Sequence, residues 1–190
     1  DMVMAITSGS ADMGGILARI WDILLPGVKP EGSLPDDEAE QALLADTLAS
    51  LQLPVPEGAA RSPSHTAREE FQFERNCVGL ESMALDFAEG TACLKIRGSE
   101  LTGELGYGCW KDGHSTADPH TSSIGLHVYE KIAMSGAWIG ETVYCFAVAY
   151  YTTPYVDQFT VRLEDGLALV EYRRNCEFDE GTVRILGRRA

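Results

Sequence analysis

The chain has 190 residues, 45% of them hydrophobic and 23% charged, the balance of a folded globular protein with room for one sizeable core. Its 29 acidic residues against 15 basic ones leave a net charge of −14, which argues against a phosphate backbone as partner, since nucleic-acid affinity is carried by Lys and Arg. No apolar run approaches the length of a membrane-spanning helix, so neither nucleic acid nor membrane is expected as a partner.

In chain order, Met2-Val3-Met4-Ala5-Ile6 is a short, continuous apolar run, the pattern of a strand buried on both faces. No charged-then-apolar leader opens the chain, and no signal peptide is expected in it. Thr7-Ser8-Gly9-Ser10 is turn chemistry, and Ser10 or Asp12 is placed to cap a following helix. There Met13, Ile16, Leu17, Ile20, Trp21 and Leu24 recur at three and four to make one broad apolar face, which Pro26 ends. A second helix is predicted from Asp36 to about Leu51; its acidic first turn suits the positive end of the helix dipole. The Pro- and Gly-bearing stretch from Leu53 to Gly58, then Ala59 to Thr66 without apolar periodicity, reads as a linker.

From about Glu70 the pattern changes to period two. Phe71/Phe73, Met83/Leu85/Phe87, Ala92/Leu94/Ile96 and Leu101/Leu105/Tyr107 alternate with polar neighbours, and Glu89-Gly90 is a turn. Further runs span Ile124–Tyr129, Ala133–Ile139, Thr142–Thr152, Gln158–Glu164, Leu167–Arg173 and Thr182–Leu186. Glu164-Asp165-Gly166 is a hairpin signal, and Val143–Tyr151, apolar on both faces, should be the most buried strand. Short strands without intervening helices predict a mainly β fold with N-terminal helices (α+β). The expected architecture is an antiparallel meander of about eight strands, closed as a lipocalin-like barrel or packed as a sandwich. Arg75-Asn76-Cys77 and Arg174-Asn175-Cys176 are a faint internal echo.

The front of the chain, Met4 to Met13 followed by Trp21-Asp22-Ile23-Leu24-Leu25-Pro26, resembles the close of the catalytic domain in β-lactamase-related serine hydrolases. Leu53-Pro54-Val55-Pro56, the stretch Asn76-Cys77-Val78-Gly79-Leu80-Glu81-Ser82 and Gly106-Tyr107-Gly108-Cys109-Trp110 look like features of an additional C-terminal β-domain in some members. The resemblance implies three parts: residues 1–26 as the terminal strand and helix of a catalytic domain, 27–68 as a helical linker region, and 69–190 as the accessory domain. It also implies that the chain is a fragment whose partner is the catalytic domain of its own parent, with a homo-oligomer as a further possibility. The family's Ser-x-x-Lys and Tyr-x-Asn pairs do not occur, and Lys111-Asp112-Gly113 lies downstream of where the family carries its Lys-x-Gly. No catalytic residue and no cofactor are therefore expected in this chain.

The stretch Lys111 to His120 reads as a loop, with Asp-Gly and Asp-Pro as turn punctuation. His114, Asp118 and His120 would ligate a metal if the loop folded tightly, but no metal is expected. His114 with Ser115 makes an implausible nucleophile–base pair, being adjacent in sequence with no orienting third group. The strand aromatics are expected in the core. Tyr107, Trp110, Trp138 and Tyr155 are the candidates for an interface or for a pocket taking a small apolar ligand. Five cysteines without a C-x-x-C pair fit neither a zinc site nor a redox pair, and suit a reducing, cytoplasmic setting.

Overall fold

The computed structural model describes residues 3–28, 36–116, 131–176 and 181–190. The chain divides into two compact units, one formed by Ser10–Pro54 and the other by Asp1–Gly9 with Val55–Ala190.

In the first unit, α1 (Met13–Arg19) runs into a π-helical turn (Ile20–Leu24) and a last short helical piece, α2 (Leu25–Gly27). Asp12 caps α1 by accepting from the Gly15 amide at 2.8 Å. The second long helix, α3 (Glu38–Ser50), is capped by Asp37, whose Oδ1 accepts from the amides of Ala39 and Glu40. No residue of α1 or α3 is buried, although both carry leucines.

The second unit is a closed antiparallel barrel of ten strands: β1 (Arg68–Phe73), β2 (Leu80–Asp86), β3 (Thr91–Ile96), β4 (Ser99–Glu104), β5 (Lys111–Ser115), β6 (Lys131–Trp138), β7 (Val143–Ala149), β8 (Val156–Glu164), β9 (Leu167–Arg174) and β10 (Val183–Arg189). Each strand pairs with its sequence neighbours, and β1 meets β10 through Phe71↔Arg189 and Gln72↔Arg188 to close the ring. Closure leaves no edge strand. The barrel thus has ten strands where about eight are expected, and the sandwich alternative falls.

Three local expectations also change. Lys111–Ser115 is strand β5, not loop, bonded to β4 through Thr102↔His114 and to β6 through Asp112↔Ala133. Residues 3–9 form no strand, and Val3 is 94% exposed, because a closed barrel offers this apolar run no partner edge. The run expected to reach Tyr107 stops at Glu104; Leu105 to Trp110 form a loop whose Gly106 bridges Ser135 of β6. The run at 124–129 lies outside the described residues.

The period-two pattern reappears as an alternating burial along β8, where Asp157, Phe159, Val161 and Leu163 face inward. In the β8–β9 hairpin Asp165 and Gly166 both take positive φ, 50° and 75°, as a two-residue turn matched to strand twist requires. β7 is buried at five of its seven residues, but β6 exceeds it with seven of eight, so the most buried strand is β6 and not the run at Val143–Tyr151. The inward side chains form one cluster, with Phe71, Met83, Leu94, Ile132, Met134, Phe146 and Phe159 all fully buried.

Candidate functional site

The antiparallel order puts the β2–β3, β4–β5, β6–β7 and β8–β9 connections at one end of the barrel, with the start of β1 and the end of β10. Residues 58–66 cross this end. Ala59 exchanges two backbone hydrogen bonds with Trp138, at 2.8 and 2.9 Å, and the Ser62 hydroxyl donates to the Glu141 carbonyl at 2.8 Å. The stretch read as a linker is in fact a plug. Gly58 is needed there, since a Cβ would fall 2.2 Å from the Trp138 carbonyl oxygen.

Beneath the plug lies a recess of about 230 Å³, walled by Phe87, Leu105, Trp138 and Tyr144 of the barrel and by Arg61 and His65 of the plug. Its rings are in mutual contact. His65 stacks on Trp138 at 5.2 Å and 18°, Trp138 meets Phe87 at 4.8 Å, and Phe87 meets Tyr144 edge-on at 5.2 Å. His65 is fixed by its Nδ1, 2.6 Å from Glu69 Oε1, while Glu69 is itself bonded to Arg189. Glu69 is buried, so this second partner balances its charge. With Nδ1 held by a carboxylate, Nε2 is left without a partner among the described residues.

Tyr144 is another polar group that lines the recess. The residue is 6% exposed, and its hydroxyl has no hydrogen-bond partner among the described residues. Gly136 makes room for it: a Cβ there would stand 2.2 Å from the hydroxyl oxygen. Burial pushes the Tyr144 phenol up, so it stays a neutral hydrogen-bond donor at physiological pH. A carboxylate-oriented imidazole is half of a nucleophile–base arrangement. The nearby Ser62 hydroxyl, however, is buried and already donates to the Glu141 carbonyl, so it is not presented to the imidazole as a nucleophile.

The opposite end holds a different cluster. Asp157, 1% exposed, accepts from Tyr150 and Tyr172, each at 2.9 Å, and from Arg174 through both Nε (2.6 Å) and a terminal nitrogen (2.9 Å). Burial opposes the Arg174 charge, but the Asp157 bonds outweigh it and hold its pKa above the usual value. The Arg174 guanidinium also lies 5.3 Å from the centre of the Tyr155 ring. Every acceptor position here is used inside the fold, so this is a buried ion-pair network and not an open site.

The four aromatic candidates therefore do not converge. Tyr107 and Trp138 share the recess, with the Tyr107 hydroxyl donating to the Gly58 carbonyl at 3.0 Å. Tyr155 lies at the opposite end beside Arg174, and Trp110 sits half-buried just before β5. His114 is exposed on β5 and Ser115 is buried, so the two adjacent strand residues point to opposite faces and cannot act as a pair. Asp118 and His120 lie outside the described residues, and the described residues hold no cluster of three metal-ligating side chains. His65 escaped notice in the sequence; its only local signal is the four-residue spacing to Glu69, because Trp138 and Arg189 are brought to it by closure of the barrel. Among the described residues, no helix is long and apolar enough to cross a membrane. The chain matches no protein-family profile, no curated protein and no solved structure.

Proposed function

We propose that the chain is a non-catalytic accessory domain of a β-lactamase-related serine hydrolase, packing on or modulating the catalytic domain of the same parent protein. One observation carries the reading. The stretch that resembles the end of that catalytic domain is the stretch left without a core: Met13, Leu17, Trp21 and Leu24 are all about half exposed or more, at 55%, 51%, 65% and 49%. A unit of two short helices cannot bury such side chains within itself, and a large apolar surface of this kind calls for a partner. In the proposed parent, the run at Val3–Ile6 joins the catalytic sheet, and the helical face covers it.

The barrel is lipocalin-like in being a closed antiparallel meander, but a hollow cup for an apolar ligand is the less favoured role. The middle of the barrel is packed, with the Phe146 and Phe159 rings stacked at 4.7 Å. The test is hydrolysis of nitrocefin and of p-nitrophenyl esters by this chain and by the longer parent protein. Turnover by the parent and none by this chain is the expected result; turnover by this chain alone overturns the proposal.

A further inference from the structure

We propose that the recess between the plug and the barrel binds a small primary ammonium ion whose apolar body is no larger than a single ring. This reading stands apart from the accessory role and does not depend on it.

Size comes first. Pockets for drug-sized ligands run to roughly 300–1,000 Å³, so a recess of 230 Å³ is too small for one. A dry apolar cavity of about 150 Å³ takes up benzene, so the volume here suits a ring with a small polar head. The lining is aromatic on several sides. Phe87 meets Trp138 at 4.8 Å and Tyr144 at 5.2 Å, Trp138 meets Tyr144 at 5.0 Å, and the His65 imidazole stacks on Trp138. The faces of such rings carry the negative part of their quadrupole and attract a cation.

The unengaged polar atoms then choose the head. Asp86, half-buried at the end of β2, accepts the amides of Ala88 and Glu89 on Oδ1, which anchors the carboxylate and leaves Oδ2 without a partner among the described residues. Arg68, opposite Asp86 in the β1–β2 register, pairs with Glu70 instead. His65 holds Glu69 through Nδ1, so its Nε2 is a second open acceptor, while the Glu69 charge is balanced by Arg189. A primary ammonium carries three N–H donors and can serve both acceptors, the charged one most strongly. A quaternary ammonium would leave both empty. Arg61 is the one Lys or Arg in the lining; it is exposed, and its long stem lets the guanidinium stay in water. It therefore weakens the preference for a cation without reversing it, and the net charge of −14 adds a general attraction for cations.

Benzylammonium is the probe, titrated into the whole chain at neutral pH and followed by amide chemical shifts, with benzyl alcohol and benzoate as controls of the same size. Saturable shifts at residues 61–65, 86–88, 138 and 144 are expected with benzylammonium, and weaker binding by both controls. Asp86→Asn keeps the oxygen that caps the β2–β3 turn and removes only the charge, so it should weaken benzylammonium about tenfold with the fold intact. Arg61→Gln removes an exposed like charge and should tighten binding about two- to threefold. No saturable shift up to about 10 mM benzylammonium, equal or tighter binding of either control, unchanged affinity in Asp86→Asn, or a loss of affinity in Arg61→Gln would each overturn the proposal.

Discussion

Two buried tyrosines of the barrel differ in what their hydroxyls touch, and this should separate their energetics. Tyr150 donates to the buried Asp157 carboxylate at 2.9 Å, a hydrogen bond to a charged group. Tyr150→Phe should cost about 1.5–3 kcal/mol in urea unfolding. The Tyr144 hydroxyl has no partner among the described residues to lose, so Tyr144→Phe should be neutral or stabilising by up to about 1 kcal/mol. Asp157→Leu should be worse than either, at about 3–5 kcal/mol, because it strands Arg174 as an unpaired charge. Equal losses for the two tyrosine variants would mean that Tyr144 is bonded as Tyr150 is.

The same residues set the alkaline limit of the fold. Burial pushes the Cys145 thiol up, and the Tyr144 and Tyr150 phenols likewise, Tyr150 with further help from the Asp157 carboxylate. All are neutral acids that ionise more readily in the unfolded chain. As pH rises past their ordinary values, the unfolded state releases protons first and is favoured. Their contribution is thus complete at neutral pH and is lost from about pH 9 upward, first for Cys145 and then for the phenols. Tm should fall above that pH, and the fall should be shallower in Tyr144→Phe. An identical slope in that variant would assign the alkaline loss to other groups.

At the scale of elements, the legible parts of the fold were those whose signal is local. The β8–β9 hairpin is written twice, once in the alternation of Phe159, Val161 and Leu163 and once in Asp165-Gly166, whose positive φ values fit the turn. β5 was illegible because Lys-Asp-Gly-His-Ser carries no apolar alternation; it is a strand only because β4 and β6 hold it on both sides. Val3–Ile6 misled in the opposite way, since an apolar run signals burial without saying what buries it. The echo of Asn76 and Asn175 proves to be functional in the fold. Asn76 accepts from the amides of Gly79 and Leu80 and donates to the Leu80 carbonyl, while Asn175 fastens Val156 and Pro154. Each asparagine staples a loop at the end of the barrel opposite the recess.

The recess itself was half legible. Trp138 and Tyr107 stood out as aromatics, whereas the plug looked like linker because residues 59–66 are polar and lack periodicity. Their attachment is mainly by backbone and short side chains, which sequence patterns do not report. Gly58→Val tests whether the plug is a fixed part of the barrel. The new side chain would collide with the Trp138 carbonyl and should lift residues 58–66 away, exposing Trp138 to water. A red-shifted and more quenchable tryptophan emission is expected, with the barrel's far-UV spectrum retained. Unchanged emission would mean that the plug can shift without opening the recess.

For the whole molecule, the decisive contact is the one between the two ends of the sheet. β1 and β10 pair through Phe71↔Arg189, residues far apart in sequence, and ordering so long a loop before any reward makes such closure slow. Everything that closes the barrel lies between Arg68 and Arg189, and the plug begins at Gly58. A chain starting at residue 55 should therefore fold, with near-UV circular dichroism matching that of the full chain. Removing residues 183–190 is the opposite case. It takes away β10 and leaves β1 and β9 as open edges, with Ile185 missing from the core. Unpaired edges of this length recruit other chains, so this truncation should elute as aggregates in size-exclusion chromatography while the N-terminal one remains in a single discrete peak. If the chain lacking 183–190 were also discrete and kept its near-UV spectrum, closure through β10 would not be what holds the barrel together.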